Sequence, residues 1–175
     1  VAQPVQQEVV NWMDFTGTTR AAAKVELRAR VNGYLKAIHF KDGDDVKQGQ
    51  LLFEIEPAEY EVARNSAAAE LQKMQTALQL AESEWNRIED AYRRGAITPS
   101  ERDVKAAELA SARANVAAAQ AALDRAELDL SYTKIYAPMS GRIGQHLVDV
   151  GNLVQREQTV LAVIESVDPI HVYFS

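Results

Sequence analysis

Three histidines, His39, His146 and His171, are the side chains of this sequence best suited to acid–base or metal chemistry. A catalytic imidazole or a metal ligand needs a second group at a fixed spacing, such as another ligand one helical turn away. None of the three histidines has such a neighbour in the sequence. His39 and His146 also occupy equivalent regions of two similar segments, which favours ordinary strand residues. We therefore predict neither a metal site nor a catalytic histidine.

The remaining candidates for chemistry also lack a functional arrangement. Met13, Met74 and Met139 are scattered along the chain, so they indicate no soft-metal site. No Ser-His-Asp order, phosphate loop or paired-carboxylate motif is present. The carboxylates of the central region are expected to form the solvated face of a coiled coil. They are Glu82, Glu84, Glu89, Asp90, Glu101 and Asp103. The sequence thus predicts a protein that is not an enzyme and binds no cofactor.

The composition changes along the 175 residues. From Ala58 to Leu130 the chain is rich in Ala, Glu, Leu, Gln and Arg, which is typical of long helices. Val, Ile, Gly and Asp dominate on either side and indicate short strands and turns. There is no cysteine, so no disulfide or thiolate is available. The formal net charge of −6 argues against nucleic acid as a partner.

The two β-rich regions are copies of one pattern. A shift without gaps places residues 28–57 on residues 136–165, and each copy then predicts a strand, a polar turn and a strand. Identical residues coincide at Ala29 with Ala137, Gly33 with Gly141, Gly43 with Gly151, Val46 with Val154 and Gln50 with Gln158. Apolar residues coincide at Val31 with Met139, Leu35 with Ile143, Phe40 with Val148, Leu52 with Val160 and Ile55 with Val163.

The region between the copies has the heptad pattern of a coiled coil. The first seam consists of Tyr60, Arg64, Ala67, Leu71, Met74, Leu78, Ala81, Trp85, Ile88 and Tyr92. The second consists of Leu109, Ala112, Val116, Ala119, Leu123, Ala126 and Leu130. Large residues alternate with alanine, which lets two helices approach closely. Arms of roughly 35 residues would extend about 50 Å.

Between the seams lie signals that end one helix and begin another. Gly95 suits the left-handed position after a helix C-terminus. Thr98 is a good N-cap, Pro99 fits the first helical position, and Glu101 completes a capping box. These signals predict a tight antiparallel hairpin. Because such a hairpin buries one narrow stripe, it suits contact with another protein, or with copies of itself, better than catalysis.

Two similar β-segments resemble the halves of a lipoyl or biotinyl carrier domain. Val31–Leu35, Gly43, Val46 and Gly49–Leu52 resemble one half, and Ala137–Ile143 with Gly151 resemble the other. In a carrier, a tight hairpin joins the halves and carries the modified lysine. Here helix occupies that place and no lysine lies on a short turn between the copies, so we expect no covalent lipoate or biotin.

From about Asn11 to Ser175 the chain resembles a periplasmic adaptor, or membrane fusion protein, of resistance-nodulation-division efflux pumps. The resemblance rests on Arg28–Leu35, Gly49–Pro57 with Tyr60, and Leu130–Pro138 followed by Gly141. It implies an α+β fold. In that fold a lipoyl-like β-sandwich is split by a long antiparallel α-helical coiled-coil hairpin, and strands of an incomplete β-barrel lie beside it.

The resemblance also implies a division of the chain. Residues 1–24 would be the strand entering the barrel, with Val5–Thr18 as its core, and 168–175 the start of the return. Residues 25–57 and 132–167 would be the two lipoyl-like halves. Residues 58–131 would be the hairpin, with its tip near 93–100. Because Ser175 precedes most of the expected barrel and the membrane-proximal domain, we expect this to be a piece of a longer protein.

In these adaptors the hairpin tip is thought to dock on the outer-membrane duct through an Arg, a Leu and a Ser. The matching positions here are Arg87, Ala91 and Thr98. Arg87 agrees with the pattern, and Thr98 keeps the hydroxyl. Ala91 departs from the usual Leu and weakens the expected apolar contact.

The implied function is a link between an inner-membrane transporter and an outer-membrane channel for export of drugs or other small molecules. The transporter would be of the resistance-nodulation-division type, and the adaptor a homo-oligomer, hexameric in the assembled pump. The location would be periplasmic, with an inner-membrane anchor in the full-length protein. Two alternatives stay open. One is an adaptor driven by an ATP-binding-cassette or major-facilitator transporter, and the other is a lipoyl or biotinyl carrier.

Overall fold

The computed structural model describes residues 16–174, which form ten strands and two long helices. Before the helices lie β1 (Gly17–Ala21), β2 (Lys24–Arg28), β3 (Gly33–Ile38), β4 (Asp45–Val46) and β5 (Leu51–Ile55). The helices are α1 (Ala58–Arg93) and α2 (Pro99–Ser131). After them come β6 (Lys134–Tyr136), β7 (Gly141–Ile143), β8 (Leu153–Val154), β9 (Val160–Glu165) and β10 (Ile170–Phe174).

Two four-stranded antiparallel sheets enclose the core and are related by an approximate two-fold. One has the order β2-β9-β7-β4 and the other β6-β5-β3-β8, so each strand of one copy takes the place of its counterpart in the other. Each sheet therefore contains strands from both copies. The largest fully buried side chains between the sheets are Leu35, Leu52, Phe53, Ile55, Ile143, Val154, Leu161 and Ile164. The predicted lipoyl-like sandwich interrupted by helices is confirmed.

Reciprocal hydrogen bonds hold the turns of each copy against the other. The Gly49 amide donates to the Ala137 carbonyl (2.8 Å), and the Glu157 amide donates to the Ala29 carbonyl (2.8 Å). In a second pair, the Gly43 amide donates to the Ile143 carbonyl (3.1 Å), and the Gly151 amide donates to the Leu35 carbonyl (2.7 Å). Because the acceptors always belong to the other copy, neither half can complete its turns alone.

The gapless alignment of the copies is wrong in its last strand. Leu161 and Ile164 are buried, whereas Val160 and Val163, which the gapless alignment places opposite Leu52 and Ile55, are only half-buried. The physical reason is one additional residue, Thr159, in the turn before β9. A shift of one residue moves every side chain of a strand to the opposite face.

The turn that precedes the additional residue keeps the same backbone conformation in both copies. Gly49 has φ +81° and its counterpart Glu157 has φ +61°. Gln155 N–H is satisfied by the Thr159 hydroxyl at 2.9 Å. A left-handed backbone is easily adopted by glycine but strained for glutamate. The second copy therefore keeps a turn conformation that its sequence does not favour.

The helices pack as the predicted antiparallel hairpin. With one exception, the seam residues are buried or half-buried, and Leu71, Leu109 and Ala119 are the most buried. Tyr92, at the distal end of α1, is exposed. At about 1.5 Å per residue, 36 and 33 residues give arms of about 50 Å. Within residues 16–174, neither helix combines the length and apolarity that crossing a bilayer requires.

A third, two-stranded antiparallel sheet is separate from the two sheets of the sandwich. It pairs β1 with β10, with Gly17 opposite Phe174 and Ala21 opposite Ile170. Its two strands lie in the segments that the resemblance assigns to the entry into a barrel and the return to it. Residues 5–15 of the predicted entering strand, and Met13 with them, lie outside the described residues.

His146 ties together loops that are far apart in the sequence. Its Nδ1 lies 2.8 Å from Asp42 Oδ1, its backbone N–H donates to the same oxygen (3.0 Å), and its Nε2 lies 3.3 Å from Asp149 Oδ1. Hydrogen bonding to Asp42 raises the pKa of His146, and the same bond lowers the pKa of Asp42. The prediction of a strand residue is wrong for His146, because it belongs to the loop after β7.

The other two histidines differ from His146 in their surroundings. His39 lies one residue beyond the end of β3, so the prediction of a strand residue is wrong for it as well. Its Nε2 lies 3.6 Å from Glu54 Oε2. His171 is an exposed residue of β10.

The seam predicts the effect of a buried charge in the hairpin. Leu71→Asp should destabilise the hairpin by roughly 3 kcal/mol, because the carboxylate replaces a side chain that is 8% exposed. Leu80→Asp is the matched control, since Leu80 lies on the same helix and is 61% exposed. Thermal unfolding followed by far-ultraviolet circular dichroism compares the two. Equal losses for both variants would contradict the assigned seam.

The strained turn predicts a stabilising substitution. Glu157→Gly should raise the free energy of unfolding by about 1 kcal/mol, because glycine adopts the observed φ without steric cost. The converse variant, Gly49→Glu, should lower it by a similar amount. Open space surrounds the Cβ position of Gly49, so only backbone conformation can cause that loss. Denaturant titration measures both, and a stabilised Gly49→Glu would contradict the assignment.

The His146 tie predicts a pH dependence of stability with a definite sign. The raised pKa makes His146 stabilise the fold below pH 6.5, and the effect is lost as pH rises through the folded-state value. The lowered pKa makes Asp42 stabilise the fold above pH 3.8, and the effect is lost on acidification. The tie should therefore be strongest between these two values.

An NMR titration of the His146 ring should give a midpoint above 6.5. His146→Gln should remove the decline in stability on alkalinisation. Asp45→Asn, which breaks the nearby Arg142–Asp45 pair (3.0 Å), should leave that decline in place. A midpoint at or below the ordinary imidazole value would rule out the tie.

Candidate docking site at the hairpin tip

The tip begins with a tightly closed helix end. Gly95, at φ +72°, follows the C-cap of α1, and its N–H donates to the Tyr92 carbonyl (2.9 Å). The Ala96 N–H donates to the Ala91 carbonyl (3.0 Å). These two bonds form a Schellman motif, which satisfies carbonyls that the helix end would otherwise leave open. The predicted role of Gly95 is confirmed.

The second helix begins at the predicted capping box. The Glu101 N–H donates to the Thr98 hydroxyl (3.3 Å), and the Thr98 N–H donates to Glu101 Oε2 (2.8 Å). The Thr98 hydroxyl also donates to that carboxylate (2.9 Å). These bonds hold the pKa of Glu101 below its usual value. Because the hydroxyl proton is already used, any partner of Thr98 Oγ1 must be a donor.

Arg87 is the most available of the predicted docking residues. It is exposed, and it forms no ion pair or hydrogen bond with the residues between 16 and 174. It is two residues from both Trp85 and Glu89, which face α2, so it lies roughly 200° around the helix from them. Its guanidinium therefore points away from the hairpin seam.

Ala91 lies one turn beyond Arg87 on the same face of α1 and is half-buried. It offers a single methyl group where the resembled family has Leu. The structure thus places Arg87, Ala91 and Thr98 at the distal end of the hairpin, with the first two on one helix face.

Sequence reasoning missed a cluster at Arg102. Its Nε donates to Glu89 Oε2 across the hairpin (2.9 Å). Its guanidinium carbon lies 5.3 Å from the centroid of the Trp85 ring and 5.2 Å from that of Tyr92. The available signal was heptad spacing, because Arg102 lies seven residues before Leu109, where the seam would continue.

The interpretation of the hairpin carboxylates as a purely solvated face needs correction. Besides Glu89, two carboxylates of α1 form ion pairs with α2: Glu84 with Lys105 (3.0 Å) and Glu82 with Arg113 (3.5 Å). Heptad geometry brings these residues to the flanks of the seam, where long side chains reach across. Three of the six carboxylates, Glu82, Glu84 and Glu89, therefore contribute to holding the helices together.

The tip has the chemistry of a binding surface. It presents a free guanidinium, a methyl group and a hydroxyl that accepts hydrogen bonds. Across residues 16–174, no three His, Asp or Glu side chains converge as metal ligands would. The place of the carrier lysine is taken by α1 and α2, which connect the paired strands β5 and β6.

Comparison with known proteins gives a consistent family. The model of the barrel-sandwich hybrid domain of RND membrane fusion proteins matches residues 23–166. The multidrug resistance protein MdtA of Proteus mirabilis is 36% identical over 100% of this chain and 43% of its own length. MdtA of Yersinia pestis is 38% identical over 99% of this chain and 39% of its own. The chain thus spans about two fifths of these relatives.

Solved structures agree with the family model. A MacA–MexA chimera carrying the α-hairpin domain of Pseudomonas aeruginosa MexA superposes with a TM-score of 0.68 at 27% identity, covering 90% of this chain and 52% of the chimera. The membrane fusion protein Spr0693 of Streptococcus pneumoniae has a TM-score of 0.69 at 22% identity, over 89% of this chain and 67% of its own, and supports the fold alone. This chain therefore belongs to the RND membrane fusion protein family and contains its barrel-sandwich hybrid domain.

Proposed function

We propose that this chain is the central part of a periplasmic adaptor that links an inner-membrane transporter to an outer-membrane channel for export of drugs or other small molecules. The observation that carries the proposal is the hairpin tip, an exposed surface about 50 Å along the helices with an unpaired Arg87. The curated relatives are named multidrug resistance proteins. The role is mechanical, because the adaptor brings two other proteins together.

The transporter we propose is of the resistance-nodulation-division type, in keeping with the matched family model. The sheet formed by β1 and β10 supports a second β-domain beside the sandwich, to which residues 1–24 and 168–175 would contribute. In the full-length protein an anchor would hold this end at the inner membrane. The hairpin would then reach toward the outer membrane.

We also propose that copies of the chain assemble side by side, as a hexamer in the complete pump. Tyr34 and Leu153 face each other across β3 and β8 and are 60% and 54% exposed. An exposed apolar pair on a sheet supports contact with another protein surface. The narrow seam leaves most of the hairpin surface available for neighbouring hairpins.

The docking residues can be tested by charge reversal. Arg87→Asp should leave the helical content unchanged, because the side chain has no partner within the described residues, and should reduce export at least tenfold. Lys73→Asp is the matched control, since it makes the same charge change on α1 about 20 Å from Arg87. Drug susceptibility of cells expressing the full-length variants measures export, and circular dichroism measures folding.

Full export by Arg87→Asp, or an equal loss with Lys73→Asp, would contradict a docking role for Arg87. Capture of the partner provides the direct evidence. A cysteine placed at Ala96 in the full-length protein should cross-link to an outer-membrane channel in intact cell envelopes, and capture of only other copies of the adaptor would count against the proposal.

A further inference from the structure

The distal end of the hairpin seam is built differently from the rest. The next two seam positions of α2 toward the tip, four and seven residues before Leu109, are Lys105 and Arg102. Both side chains are cations, whereas an ordinary seam would continue with apolar residues. Their side chains are 32% and 36% exposed, so both lie partly between the helices. On α2, the last buried apolar residue toward the tip is therefore Leu109, nearly three turns from the start of the helix at Pro99.

Arg102 provides the contact between α1 and α2 that an apolar seam residue would otherwise make near the tip. It combines the ion pair to Glu89 with cation–π contacts to Trp85 and Tyr92, which lie on the same face of α1. The second oxygen of Glu89 lies 3.6 Å from Arg93 Nε, so this carboxylate joins the last turn of α1 to the cluster. A planar guanidinium can satisfy the carboxylate and stack on the rings together, which an ammonium group cannot.

We propose that Arg102 is a positioning residue for docking: it fixes the last two turns of α1 against α2, so that Arg87 and Thr98 are presented in one arrangement. The inference rests on the proposed function, because it concerns the same tip. Arg102 is half-buried between the helices, and the surface left for a partner is that of Arg87 and Thr98.

The expected consequence of losing Arg102 follows from population arithmetic. A partner that binds only the ordered tip has an apparent affinity reduced by the fraction of tips that are ordered. The Schellman motif and the capping box would still close the loop locally, but the pair of helix ends could then separate above Leu109. Docking would weaken while the sandwich and the lower hairpin stayed folded.

The test uses the full-length protein with a single cysteine at Ala96, cross-linked to the outer-membrane channel in intact cell envelopes. Arg102→Ala should reduce the cross-linking yield about tenfold, equivalent to about 1.4 kcal/mol. Arg102→Lys should give an intermediate loss, because it keeps the charge and loses the stacking. Lys105→Ala is the matched control, since it breaks a cross-helix ion pair one turn further from the tip and should change the yield less than twofold.

A second measurement separates positioning from general stability. Spin labels at Ala96, in the tip loop, and at Ala110, on α2, report the order of the tip. The distance distribution should broaden in Arg102→Ala and stay narrow in Lys105→Ala, with the circular dichroism of both variants unchanged. A channel captured by the unaltered protein but equally by Arg102→Ala would overturn the positioning role, as would equal losses in Arg102→Ala and Lys105→Ala. No capture by the unaltered protein would instead overturn the proposed function.

Discussion

The exchange of hydrogen bonds between the two copies is the constraint on which the rest of this molecule depends. In addition to the bonds of the glycine turns, the Gln48 backbone N–H donates to the Ser140 hydroxyl (3.0 Å), and the Arg156 backbone N–H donates to Asn32 Oδ1 (2.8 Å). Because each half satisfies the polar groups of the other, the sandwich can form only after residues separated by the whole hairpin have met. The entropy of that closure is moderate, since it rises slowly with the length of the intervening segment, and the hairpin shortens the effective distance by bringing its own ends together.

The hairpin and the sandwich are stabilised by different proportions of apolar burial and ion pairing. The sandwich has a dense apolar core, whereas the helices bury a stripe only one side chain wide and rely on alanine for close approach. With so little apolar area, ion pairs at the flanks of the seam contribute a larger share of the cross-helix contacts. A narrow apolar stripe with flanking ion pairs favours a long rod whose outer surface is exposed to solvent. The weakest apolar packing then lies at the tip, the end that is proposed to meet a partner.

The sequence predicted those features whose signals are local. The heptad seams, Gly95 and the Thr98–Glu101 capping box each depend on residues within a few turns of one another. The repeat was also visible, because glycines and apolar residues recur at the same spacing in both copies. The register of β9 was not, since the identity of Gln50 and Gln158 persists on the near side of the inserted Thr159 and conceals the shift that follows it.

Other features depend on contacts between distant residues that no single segment announces. His146 gains Asp42 from the other copy, 104 residues away, while Asp149 lies three residues further along its own loop. Arg102 looks like a surface arginine until α1 supplies Glu89 and the two rings. The docking assignment of Arg87, Ala91 and Thr98 came from resemblance. Geometry adds that Arg87 is free of intramolecular partners within the described residues and that Thr98 can act only as an acceptor.

The attachment of the hairpin has a consequence for its length. The helices leave and re-enter the sandwich through β5 and β6, which are neighbours in one sheet, with Leu51 opposite Tyr136. A change of one heptad in both helices would move the tip by about 10 Å and preserve the seam, while the two strands below would remain paired. The length of the hairpin can therefore change in steps of one heptad, to suit the distance that it has to span, without any change in the sandwich to which it is attached.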